Sequence, residues 1–146
     1  MRMMDDITHQ QVTALSKQGA ILHEKENYAG ALKKYWKAWE LLPEPKIELE
    51  AAAWILSAIG DANFFEQNFQ AGKDNLTRAM MCPGALGNPF IHLRLGQCQF
   101  ELGNLDSAAD ELLRAFMGTG KQIFDDEEPK YFEFLKTRAK APADGW

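Results

Sequence analysis

The sequence predicts an all-α fold made of stacked helix pairs, and three observations predict it. One pattern of small and large residues recurs three times at fixed spacing. Within each copy, apolar residues stand three or four positions apart, as on one helix face. Each copy then closes in helix breakers: "LPEP", "CPG" and "GTG".

Gly19, Gly60 and Gly96 anchor the repeat. Eight residues after each anchor stands an asparagine, Asn27, Asn68 or Asn104, followed by Tyr28, Phe69 or Leu105. Twelve after comes a small residue, Ala31, Gly72 or Ala108, and sixteen after a large one, Tyr35, Leu76 or Leu112. Nineteen after is alanine in every copy, Ala38, Ala79 and Ala115, and the next position is bulky again in Trp39, Met80 and Phe116. Each copy therefore reads as two helices with a turn at the asparagine, whose side chain bonds nearby backbone. Small residues on one helix let its neighbour approach closely, and the large residue between them fills the resulting groove. A helix pair cannot bury both faces alone, so the copies must stack.

The elements follow in order. The first helix of copy one carries Val12, Leu15, Gly19 and Leu22 on one face. Its second helix carries Ala31, Tyr35 and Ala38 and stops at Pro43. The stretch "KIELEAAA" favours helix, which predicts a lengthened first helix in copy two. In "GALGNPF", Asn88 is the expected cap and Pro89 the first helical residue of copy three. The exposed stacking face at the end needs covering. The segment "DDEEPKYFEFLKTRAK" suits that task, with Pro129 opening a helix and Tyr131, Phe132 and Leu135 on its apolar side. Its acids Asp125–Glu128 favour the positive helix end, although an acidic run can also bind a basic partner. "APADGW" reads as a short tail ending in Trp146.

These residues resemble the tetratricopeptide repeat (TPR) family, whose signature is W-x2-L-G-x2-Y, then A-x3-F, then P. Copy one matches at Leu15, Gly19, Leu22, Ala31, Tyr35 and Pro43. Copy three matches at Leu95, Gly96, Ala108 and Leu112, and copy two more loosely at Ile59, Gly60, Gly72 and Leu76. The anchors lie 41 and 36 residues apart rather than the family's 34, so extra residues fall between copies, about 44–52 and 84–88. The resemblance implies a right-handed superhelix of antiparallel helix pairs, a TPR-like α-solenoid of about seven helices. One domain spans 1–146, with repeats at about 12–45, 46–86 and 88–120 and a capping helix at about 129–140.

The resemblance also implies a binding groove along the first helices. Copy one offers Thr13, Ser16, Ala20, His23 and Glu24. Copy two offers Trp54, Ser57, Asp61, Phe64 and Phe65. Copy three offers Phe90, Leu93, Arg94, Gln97, Phe100 and Glu101. The expected partner-binding groove is Trp54, Ser57, Asp61, Phe64, Phe65, Phe90, Arg94, Gln97 and Phe100, with Asp61, Arg94 and Gln97 as polar contacts. Aromatics edged by a few charges have the composition of a binding hot spot. Phe64 and Phe65 point about 100° apart on one helix, so one of them is expected to be buried. Trp36, one step from Trp39 on the outer side, either covers the neighbouring unit or marks a second contact surface or a homodimer patch. The family subgroup that clamps chaperone-tail carboxylates is not matched, because Ser16 and Ala20 stand where its clamp begins.

Composition narrows the function. The chain has 146 residues, 46% hydrophobic and 25% charged, with a net charge of −5. That balance suits a soluble globular protein and disfavours nucleic acid or an anionic membrane as partner. The start lacks a signal-peptide pattern and the longest apolar run, "AAAWILSAIG", is too short to span a bilayer, so a cytoplasmic location is the default. Cys82 and Cys98 read as packed free thiols, and with His9, His23 and His92 they form no metal-ligand spacing. No catalytic or cofactor motif is present. The reading is a non-catalytic interaction module, without cofactor or metal, that binds a protein or peptide in an aromatic-lined groove. The alternatives are an immunity protein that neutralises a basic bacterial toxin and a small-molecule sensor.

Overall fold

The computed structural model describes residues 4–146, and among these are seven α-helices and no strand. The helices are α1 (Asp6–Glu24), α2 (Tyr28–Leu41), α3 (Glu50–Phe65), α4 (Phe69–Ala79), α5 (Pro89–Glu101), α6 (Leu105–Thr119) and α7 (Pro129–Arg138). A 3-10 turn at Lys46–Glu48 precedes α3, and another at Lys121–Phe124 precedes α7. The chain forms two compact units: the first ends at Leu86 and holds α1–α4, and the second, Gly87–Trp146, holds α5–α7.

The repeat is visible in the turns. Asn27, Asn68 and Asn104 each stand at a helix N-cap, and the residue before each has a left-handed backbone: Glu26 (φ 61), Gln67 (φ 64) and Gly103 (φ 83). In each turn the asparagine N–H donates five residues back, to the carbonyl of Leu22, Asn63 or Gln99, satisfying an end carbonyl of the first helix. Asn27 accepts from the Gly30 N–H at 2.9 Å and Asn68 from the Ala71 N–H at 3.3 Å. Asn104 uses its amide differently, donating to Gln99 Oε1 at 2.7 Å.

The anchor glycines occupy matching surroundings. A Cβ on Gly19 would lie 2.5 Å from Tyr35 Cε1, on Gly60 2.4 Å from Leu76 Cγ, and on Gly96 2.8 Å from Leu112 Cγ. The large residue sixteen positions on thus lies across each glycine, and the contact folds the two helices back on one another about the asparagine turn. The flanking small residues Ala31, Ala38, Ala79, Ala108 and Ala115 are fully buried, which keeps the helices close. In the second pair a buried Asn75–Asn63 hydrogen bond of 2.9 Å adds to this seam.

The insertion before α3 lengthens that helix less than its composition predicts. Pro43 and Pro45 remove backbone donors, Leu49 is extended (ψ 139) and buried, and α3 begins only at Glu50. The expected cap and opening proline of α5 are both found, with Asn88 Oδ1 accepting from the Phe90 N–H at 2.9 Å. In the second unit, α7 buries Tyr131, Phe132 and Leu135 and packs on α6. Trp146 is half-buried, with its ring 5.1 Å from Phe116 and 5.7 Å from Phe132.

Candidate functional site

A cleft of about 770 Å³ opens in the first unit. Its α1 wall is a helical stripe: His9, Val12, Thr13, Ser16, Lys17 and Ala20. The opposite wall is Glu48 and Leu49, then Glu50, Ala51, Trp54, Ile55 and Ala58 of α3, and Met4 also contributes. Small side chains at Thr13, Ser16, Ala20, Ala51 and Ala58 create the space. Tyr35 of α2 contributes to the lining because Gly19 leaves room for its ring beneath α1. Burial, and secondarily the Asp61 carboxylate, push the Tyr35 phenol above its ordinary pKa, so it remains a neutral hydroxyl near pH 7.

Trp54 stands out on this wall. It is 80% exposed, uncommon for so large an apolar group, and it lines the cleft. The neighbouring predicted residues Ser57, Asp61, Phe64 and Phe65 are not among those that line the cleft. Asp61 Oδ2 lies 3.3 Å from His23 Nε2, which joins α3 to α1. Phe65 stacks on Tyr28 at 5.5 Å between ring centres and meets His23 edge-on at 5.4 Å. Phe64 touches Phe65 and Phe69. Phe64 is half-buried and Phe65 exposed, so neither is buried as was expected of one of them. Ser57 donates its hydroxyl to the Ala53 carbonyl at 2.7 Å.

The second unit treats its predicted residues differently. Arg94 is 6% exposed and Gln97 0%, so neither stands on an open wall. The reason is Glu127, from the segment between the second 3-10 turn and α7. Its Oε1 accepts from Arg94 Nη1 and, at 2.8 Å, from Gln97 Nε2, while Arg94 also donates to Gln97 Oε1 at 2.7 Å. Leu93 is likewise buried. Phe100 packs edge-on against Tyr131 and Phe134 of α7, and Glu101 pairs with Lys130 and accepts from the Tyr131 hydroxyl. Phe90 keeps 39% exposure under the Arg94 guanidinium, 5.3 Å from its ring centre.

Sequence reasoning named Thr13, Ser16, Ala20 and Trp54 on the walls. It missed Leu49, Ile55 and Ala58, which it had no reason to separate from core, and Lys17, Glu48 and Glu50, which it had no reason to separate from solvated surface. Trp36 and Trp39 are both half-buried, in mutual edge contact at 6.4 Å, and Arg78 of α4 lies 5.3 Å over Trp39. No group of three or more His, Cys, Asp or Glu side chains among the described residues could hold a metal ion. No helix among them is long and apolar enough to cross a membrane.

No protein-family model matches the chain, and neither does any curated protein sequence. Solved structures do match. The Arabidopsis OM64 TPR domain is 17% identical, with a TM-score of 0.70 over 89% of this chain and 95% of its own. The second TPR domain of human RPAP3, solved with the HSP70 peptide SGPTIEEVD, is 15% identical, with a TM-score of 0.68 over 89% and 96%. The Yersinia enterocolitica type III secretion chaperone SycD, in complex with a peptide of the translocator YopD, is 13% identical, with a TM-score of 0.70 over 91% and 95%. At these identities the likeness establishes the fold, which is of the TPR type.

Proposed function

We propose that this chain is a non-catalytic protein-interaction module that holds a peptide segment of a partner protein in the cleft between α1 and α3. One observation carries the reading: Trp54, 80% exposed, stands on the wall of a preformed and mainly apolar cleft. A preformed apolar wall with a rigid aromatic anchor lowers the ordering cost of binding and supplies its main favourable term. The similarity in fold to RPAP3 and SycD, both solved with peptides, supports the same reading. The reading does not draw on Phe100, which is engaged by Tyr131 and Phe134 of α7.

Affinity capture from the source cell tests the proposal when the wild-type chain is compared with Trp54→Ala and with the control Met117→Ala, whose side chain is also largely exposed. A partner lost with Trp54→Ala and kept with Met117→Ala supports the cleft. Equal capture by all three proteins refutes it. A small-molecule sensor is the second reading, favoured by a cleft volume inside the range of about 300–1,000 Å³ typical of ligand pockets. Ligand-dependent stabilisation in a thermal-shift screen, abolished by Trp54→Ala, would select it.

A further inference from the structure

Resting on the proposed function, we propose that the cleft selects one kind of peptide: an apolar core carrying a basic residue on one side and an acidic residue on the other. The inference comes from three charges. Lys17 lies on the α1 wall, and Glu48 and Glu50 lie where α3 begins. All three are exposed, and none makes an ion pair among the described residues, although Lys46 in the same unit pairs with Glu44. Lys17 and the two glutamates face one cleft yet do not come within ion-pair distance of each other.

The register explains this separation. The His23–Asp61 pair ties the C-terminal part of α1 to that of α3, and the residues of both helices that line the cleft lie N-terminal to it, so the two helices run in the same direction. Carried back along both helices, that alignment sets Glu50 level with Val12. Lys17 lies about five residues further on, roughly 8 Å along the axis. Between these charges the lining is Val12, Thr13 and Ser16 on α1 and Ala51, Trp54 and Ile55 on α3, apolar but for two small hydroxyls. An extended peptide spans that distance in about two or three residues. A basic side chain at one end of such an apolar core meets Glu48 and Glu50, and an acidic one at the other end meets Lys17. A peptide laid in the reverse direction puts like charges together, so the charges set direction as well as identity.

Selection of a displayed random 12-residue peptide library on the immobilised full chain tests this, in parallel on Trp54→Ala, Lys17→Glu and the double variant Glu48→Lys/Glu50→Lys. Expected are peptides that need Trp54 and carry opposite charges around a short apolar core. A synthetic copy should bind Lys17→Glu about three- to tenfold more weakly than wild type at low salt. The copy with its acidic residue changed to lysine should prefer Lys17→Glu. Trp54-dependent peptides without charge bias, or an affinity indifferent to Lys17→Glu, would overturn the inference and leave the interaction reading standing. A library yielding no Trp54-dependent peptide would overturn both. A wild-type chain that sediments as a dimer, and as a monomer once Trp54 is replaced, would show that a second copy fills the cleft and would also overturn the inference.

Discussion

The first helix of a repeat meets two fates in this molecule. On α1 only Val12 and Gly19 are buried, and the stripe from His9 to Ala20 lines an open cleft. On α5 every residue from Ile91 to Cys98 is buried, and its two most polar members there, Arg94 and Gln97, are closed over by Glu127. The two helices carry the same anchor glycine in the same packing seam. A repeat position therefore decides how a helix packs against its own partner. Whether its other face becomes site or core depends on what the chain places beside it.

Breaking the contrast at its strongest point means removing the carboxylate from the second unit. Glu127→Ala leaves the Arg94 guanidinium buried without that partner and should cost about 3–5 kcal/mol in denaturant unfolding. Trp54→Ala in the first unit should change stability by no more than about 0.5 kcal/mol. The triple change Arg94→Met/Gln97→Leu/Glu127→Leu should recover most of the loss, since it replaces the whole buried network and leaves neither a charge nor the Gln97 amide without its partner. A Glu127→Ala protein as stable as wild type would mean that Arg94 does not depend on this pair.

The shared seam should answer alike in both units. Gly60→Ala and Gly96→Ala each push a methyl into a buried leucine and should destabilise by about 1–3 kcal/mol. Gly60→Ala combined with Leu76→Ala should cost less than the two single changes together, because the second vacates the space the first needs. Independent, additive losses would disprove the contact.

The turns should show a smaller and opposite pair of effects. Gly103→Ala forces a side chain into a left-handed backbone and should cost about 1 kcal/mol, whereas Gln67→Gly relieves the same strain and should gain up to about 1 kcal/mol in melting experiments. The smallest effect concerns pH. The Thr8 N–H donates to Asp5 at 2.7 Å and holds the Asp5 carboxyl below its ordinary pKa. A depressed carboxylate stabilises the folded state above its unfolded pKa and loses that contribution as pH falls through the folded value. The start of α1 should therefore loosen under acid, seen as an NMR shift of the Thr8 amide that is absent in Asp5→Ala.

Much of the fold was legible because packing at the repeat is local. Gly19 with Tyr35, Gly60 with Leu76 and the asparagine turns all join residues fewer than twenty positions apart, within one copy. The cap at Pro129 was legible for the same reason, since a proline, acids and an apolar stripe suffice to mark a helix start. The site was harder to read. Arg94 reads as a groove contact because a charge on a first helix beside the anchor glycine is hard to explain as packing, and its partner Glu127 stands 33 residues away. Glu127 itself looked like one acid among four at a helix start. Glu48 and Glu50 gained their place from an extended turn at Leu49 that the helix-favouring composition of "KIELEAAA" concealed.

The shallow seating of α1 has a practical consequence. With so little of it in the core, its backbone amides should be among the first in the unit to exchange with deuterated solvent. Anything lodged against both α1 and α3 must slow that exchange, by an amount equivalent to about 2.7 kcal/mol once the free ligand is a hundredfold above its dissociation constant. Occupancy can then be followed as a protection factor along α1 before the identity of the bound molecule is known.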